Sequence, residues 1–143
     1  MTAMLPDHAP DALRVVAQSR SARWGGRILT GITLLFLGFD AAAKIAGAKQ
    51  AVEGTVQLGY PAGTVAPIGF VLLACVILYA IPRTAPLGAV LLTGYLGGAI
   101  ATHVRVGNPL FSHVLFPTYV AAILWTGLYL RDARVRALVR SAR

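Results

Sequence analysis

Four apolar runs, each close to the length that crosses a bilayer, take up most of this chain: residues 28–46, 64–81, 85–104 and 112–130. A hydrocarbon core of about 30 Å needs about 20 helical residues. Every backbone N–H and C=O inside that core must also be bonded within protein, which a helix does by itself and an open strand does not. Composition agrees, with 57% hydrophobic and only 13% charged residues, against about a quarter charged in soluble domains. The fold class expected is all-α, a polytopic membrane four-helix bundle in a lipid bilayer.

The breaks between the runs carry turn residues: "GYPAG" before the second, "IPRTAP" between second and third, "VRVGNP" between third and fourth. Only the first connection, residues 47–63, is long enough to fold over a surface. The net charge of +8 does not form a basic face for nucleic acid; the cations gather at the ends of the runs, where they set topology. Arg14, Arg20, Arg23, Arg27, Arg83, Arg131, Arg134, Arg136, Arg140 and Arg143 fall on one side. Lys44, Lys49 and Arg105 fall on the other. Both termini are therefore expected in the cytoplasm, with the protein in the cytoplasmic membrane of a bacterium. Residues 1–23 form an N-terminal tail, 24–131 the four-span domain and 132–143 a basic C-terminal tail. Trp24, Tyr79, Trp125 and Tyr129 are expected near the inner interface and Tyr60 near the outer one.

Two local features admit other readings. Residues 23–51 have the basic start, apolar centre and small-residue end of a cleaved signal, yet Asp40 and Lys44 inside the segment favour a retained span. The stretch "PDALRVVAQSR" in the N-terminal tail reads either as an interfacial helix on an anionic leaflet or as a solvated tail. The single cysteine, Cys75, excludes an internal disulfide and a CxxC redox pair.

Helices in lipid associate through close backbone contact at small residues. The third span carries Gly94, Gly98 and Ala101 along one stripe with Gly97 beside it, which marks it as the expected central helix of the bundle and its glycines chiefly as a packing seam, with room for a ligand as the other reading. The same stripes admit a homodimer.

Packing does not account for the polar residues. Asp40 lies thirteen residues past Arg27, about 20 Å along a helix and hence inside the membrane. A carboxylate there is a functional-site hypothesis once its partner is named; Lys44, one turn later on the same face, is that partner. The carboxylate–lysine pair also reads as a purely local aid to insertion. His103 and Arg105 close the third span at the same level, Asn108 follows in the turn, His113 opens the fourth, and Glu53 and Gln57 lie in the long loop. The expectation is an outward-facing polar pocket. Histidine and carboxylate are metal-ligand types, but no spacing here matches a dedicated motif such as HExxH, and no metal site is expected. No CxxCH motif for haem is present. A proton-carrying histidine beside an anion-holding arginine suits a quinone or a small acid.

The stretches "WGGRILTGITLLFLGFDAAAKI", "PLGAVLLTGYLGGAIATHVRVGNPLFSH" and "WTGLYLRDARVRAL" resemble the DoxX-like branch of the DoxX family, over residues 24–138. That resemblance implies a small four-helix membrane protein. The family takes its name from a membrane subunit associated with thiosulfate:quinone oxidoreduction, and some relatives are linked to membrane complexes with sulfurtransferase and superoxide-detoxifying partners. By position the family-like residues are Asp40, Lys44, Gly94, Tyr95, Gly97, Gly98, Thr102, His103, Arg105, Trp125, Leu130, Arg131 and Asp132.

Three functions follow as expectations. The first is an accessory subunit of a membrane oxidoreductase that binds a quinone or small anion in the outer pocket, with Asp40, Lys44, His103, Arg105, Asn108, His113, Tyr95 and Glu53 as candidate ligand-binding residues and a redox protein as partner. The second is a non-catalytic scaffold docking a cytoplasmic protein through its basic C-terminal tail. The third, a small transporter, requires polar residues through the inner half of the bundle, where the sequence has few.

Overall fold

The computed structural model describes residues 20–141, to which everything below refers; the N-terminal "PDALRVVAQSR" stretch lies outside them except for Arg20. Six α-helices follow in order: α1 (Arg20–Ile45), α2 (Lys49–Gln57), α3 (Val65–Ala80), α4 (Ala85–Arg105), α5 (Phe116–Arg131) and α6 (Ala133–Ser141). A turn of 3-10 helix, Ala62–Thr64, leads into α3, and one π turn, Leu110–Val114, leads into α5. No strand occurs among the described residues.

Counting those turns, four segments are long and apolar enough to span a membrane: Arg20–Ile45, Ala62–Ala80, Ala85–Arg105 and Leu110–Arg131. They contain the runs read from the sequence almost entirely. Their outer faces carry large exposed apolar side chains, among them Leu35 at 77%, Phe39 at 78% and Phe111 at 74% exposure. So much apolar surface is unfavourable in water and costs nothing in lipid. The chain is a multi-pass membrane protein.

The spanning helices form a ring in the order α1, α3, α4, α5, with α1 packed on α3 and α5, and α4 packed on the same two. No helix is central, and the most heavily packed is α1, so the expectation for the third span is corrected. The seams are made by glycines other than those of the α4 stripe. A methyl group added at Gly26 would lie 2.8 Å from Leu130 Cβ, and one at Gly127 3.1 Å from Thr30 N, which closes α1 on α5. At Gly69 it would lie 2.8 Å from Lys44 Cβ, closing α1 on α3; at Gly88 it would collide with the backbone of Tyr79, closing α3 on α4. Around Gly94, Gly97 and Gly98 it would meet nothing within 4 Å.

The core runs through Leu37, Ala41, Leu72, Tyr79, Ala89, Leu92, Leu124 and Leu128. Tyr79 is wholly buried, and its hydroxyl donates to Leu124 O at 2.9 Å. The described chain begins and ends at the same end of the bundle, since Gly26 abuts Leu130 and Arg131 N. At that end arginines bind carbonyls: Arg131 donates to Tyr79 O at 2.9 Å and lies over its ring, and Arg136 donates to Tyr129 O and Leu130 O. Arg134 donates to Pro82 O in the α3–α4 turn and to the Asp132 carboxylate. Those hydrogen bonds from Arg134 hold the Asp132 carboxyl below its ordinary range.

Candidate functional site

The opposite end, capped by α2, holds a half-open cavity of about 480 Å³. That volume lies within the range of small-molecule sites, about 300–1,000 Å³. Its walls come chiefly from the two helices that face each other across the ring. From α1 come Phe36, Leu37, Asp40 and Lys44; from α4 come Gly94, Tyr95, Gly98, Ala99, Thr102 and His103. Phe116, Pro117 and Val120 of α5 and Ile68 of α3 close the sides. Gly94, Gly98 and Ala99 on the α4 face toward α1 leave space that larger side chains would fill. The greasy part of the third span thus makes room more than it makes contact.

The roof is α2 and the turn after it, through Thr55, Leu58 and Tyr60. Left-handed glycines bracket this segment, Gly47 at φ 66° before it and Gly59 at φ 85° after it. That backbone region costs a residue with a Cβ about 1–2 kcal/mol. Two side chains of α4 hold the roof down: Thr102 Oγ1 lies 3.0 Å from Tyr60 Oη, and Arg105 donates to Leu58 O at 2.6 Å.

The candidate residues sort into three groups. Asp40, Lys44, Tyr95 and His103 line the cavity, and Lys44 Nζ donates to Asp40 Oδ1 one turn away. The Lys44 side chain is 15% exposed and that of Asp40 37%, so the pair sits in the cavity wall. Asn108 and His113 form a second layer behind His103. Asn108 Nδ2 lies 2.7 Å from His103 Nδ1, and the two imidazole rings meet edge to face at 5.8 Å. The π turn that carries His113 brings the rings together; ten residues of sequence separation gave no sign of it. Arg105 and Glu53 lie off the cavity lining, Arg105 spent on the roof and Glu53 exposed opposite Lys49 at 3.8 Å. No group of three or more metal-binding side chains occurs among the described residues.

The sequence reading missed Phe36, Thr55, Leu58 and Phe116. Apolar and hydroxyl side chains on amphipathic helices look alike whether they face lipid, core or cavity. Tyr60 and Thr102 were noted as an interfacial ring and a family-like residue, with nothing to pair them across 42 positions.

The spacing of this wall, an acid and a lysine one turn apart on the first span and glycines ending in histidine and arginine on the third, was the part of the sequence with a familial pattern. The DoxX-like family model matches residues 28–127. The chain belongs to the DoxX-like family. The matched region takes in the C-terminal two thirds of α1, the roof, α3, α4 and most of α5, so the whole cavity lies in the DoxX-like part. No curated protein and no solved structure matches the chain.

Proposed function

We propose that this DoxX-like protein binds a quinone through its ring and acts as an accessory subunit that hands the quinone to, or takes it from, a redox partner in a bacterial cytoplasmic membrane. The α2 end faces outward in this reading, because the arginine-rich end is retained inside.

One observation carries the choice of ligand: an apolar-walled cavity whose carboxylate and ammonium neutralise each other. Phe36, Leu37, Ile68, Phe116, Pro117 and Val120 offer van der Waals contact to a ring, and Lys44 is already paired with Asp40. Arg105, the cation suited to clasp an anion, is turned to the roof carbonyl. A small acid would find little unspent positive charge. A neutral ligand with carbonyl or hydroxyl groups finds donors in Lys44, Tyr95 and His103 and an acceptor in the second oxygen of Asp40.

A bound quinone supplies the electron acceptor. The chain's own groups orient it and hold protons near its oxygens: Asn108 fixes the His103 ring, and Lys44 and Tyr95 reach the same space.

The test is titration of purified protein in nanodiscs with a short-chain ubiquinone or menaquinone analogue. Asp40→Asn and His103→Ala should each weaken binding about tenfold or more, the worth of a hydrogen bond to a charged or fixed polar group. Affinity unchanged in both variants overturns the reading.

A further inference from the structure

We infer that the outer face of α1 at the arginine-rich end holds an anionic phospholipid, with its phosphate among Arg20, Arg23 and Arg27 and its acyl chain along Ile28, Ile32 and Leu35.

The arginines of this end are used in two ways. Arg131, Arg134 and Arg136 donate to backbone carbonyls of α3, of the α3–α4 turn and of α5. The side chains of Arg20, Arg23 and Arg27 make no hydrogen bond or ion pair with any described residue, yet they share a hollow of about 280 Å³ with Trp24. Arg27 lies 5.7 Å from the centre of the Trp24 ring. Three guanidinium groups this close repel one another and are stabilised by an anion between them. Each also presents a planar fork of donors suited to phosphate oxygens.

The shape of the surface commits the anion to a lipid. Residues three and four apart share a helix face, and the face that begins with Arg20, Trp24 and Arg27 continues into the membrane through Ile28, Gly31, Ile32 and Leu35. Ile28 is 57% exposed, Ile32 50% and Leu35 77%, and Gly31 leaves a notch with nothing within 4 Å of its missing side chain. The strip faces the bilayer, so the arginines just before it stand in the headgroup layer, where lipid phosphate is the anion at hand. A phospholipid covers both, with Trp24 at the depth where an indole prefers to sit. The groove lies at the end of the bundle remote from the cavity, so it stands whether or not a quinone binds.

Trp24 is also the probe. In a Trp125→Phe background it is the remaining tryptophan of two. The protein is placed in phosphatidylcholine vesicles containing a low fraction of either brominated phosphatidylglycerol or brominated phosphatidylcholine, and quenching of Trp24 is compared. The expected result is a relative binding constant for phosphatidylglycerol on the order of tenfold higher, since basic side chains at the surface attract an anionic lipid. The preference should fall with added salt. It should disappear in Arg23→Gln with Arg27→Gln and survive in Arg83→Gln with Arg140→Gln. Equal quenching by the two lipids in the parent overturns the proposal without recourse to any variant. Retention in the first double variant, or loss in the second, overturns it too, because either outcome makes the attraction a diffuse charge effect.

Discussion

At one end of the bundle Gly88 lets α4 lie against the backbone of Tyr79, Tyr79 reaches across to Leu124 O, and Arg131 folds back on the Tyr79 carbonyl. At the other end Gly98 faces open space, Tyr60 meets Thr102 over a cavity, and Arg105 grips the backbone of a roof. The two ends use the same residue types, glycine, tyrosine and arginine, to opposite effect. In the first, each removes volume or satisfies a carbonyl, and the helices close on one another. In the second, they border a space about the size of a small ligand. Close packing is the default for a helical bundle, so the end that departs from it is where a ligand is to be sought.

The widest difference between the ends should appear at the glycines. Gly88→Ala should destabilise the protein by about 3 kcal/mol, at the upper end of overpacking costs, because the collision is with backbone that cannot swing away. Gly98→Ala should leave thermal unfolding in detergent within about 0.5 kcal/mol of the parent, as for a substitution away from any packed seam. Equal losses in the two variants would dissolve the contrast.

Next in size is the ion pair. Asp40→Asn strands Lys44 in the cavity wall and should cost about 2 kcal/mol, less than a fully buried pair because the carboxylate is 37% exposed. Adding Lys44→Leu should restore much of that loss while leaving quinone binding weak. A double variant as unstable as the sum of its parts would mean that the two groups act separately.

Arg131 and Arg105, one at each end, sharpen the comparison further. Arg131→Met should lower stability by about 1.5 kcal/mol through the lost carbonyl bond and ring contact. Arg105→Gln should hardly change stability but should loosen the roof. In a Cys75→Ser, Ala99→Cys background, water-soluble maleimide should then label position 99 faster. Unaltered labelling would mean that Arg105 does not fasten α2.

The smallest effect is one of pH. Arg134 depresses the Asp132 carboxyl in the folded state. The contribution is therefore complete above the unfolded carboxylate's value of about 4, and it is lost as pH falls through the lower folded value. Protection of the α6 amides, relative to their intrinsic exchange, should fall across that acid window in the parent; Asp132→Asn should show the lower protection above the window and match the parent below it.

Much of this architecture was legible in the residues. Run length and hydropathy located all four spans, because the bilayer imposes one length and one backbone solution. Asp40 with Lys44 was legible for a similar reason: a helix puts positions four apart on one face, and the bonded pair follows. The Asn108 contact with His103 and the facing of His103 on His113 were not legible, since a π turn and a loop set them. The role of Arg105 was not legible either, because an arginine at a helix end looks the same whether it meets headgroups, an anion or a carbonyl 47 positions away.

The sequence alone thus determined that this chain is a helical membrane protein of the DoxX-like type with a charged pair inside its first span. Which glycines close seams and which leave a cavity was decided only by tertiary structure. Lipid exerts no hydrophobic drive between helices, so pairing depends on backbone approach at particular points. Glycine carries no side chain from which that choice is read in advance.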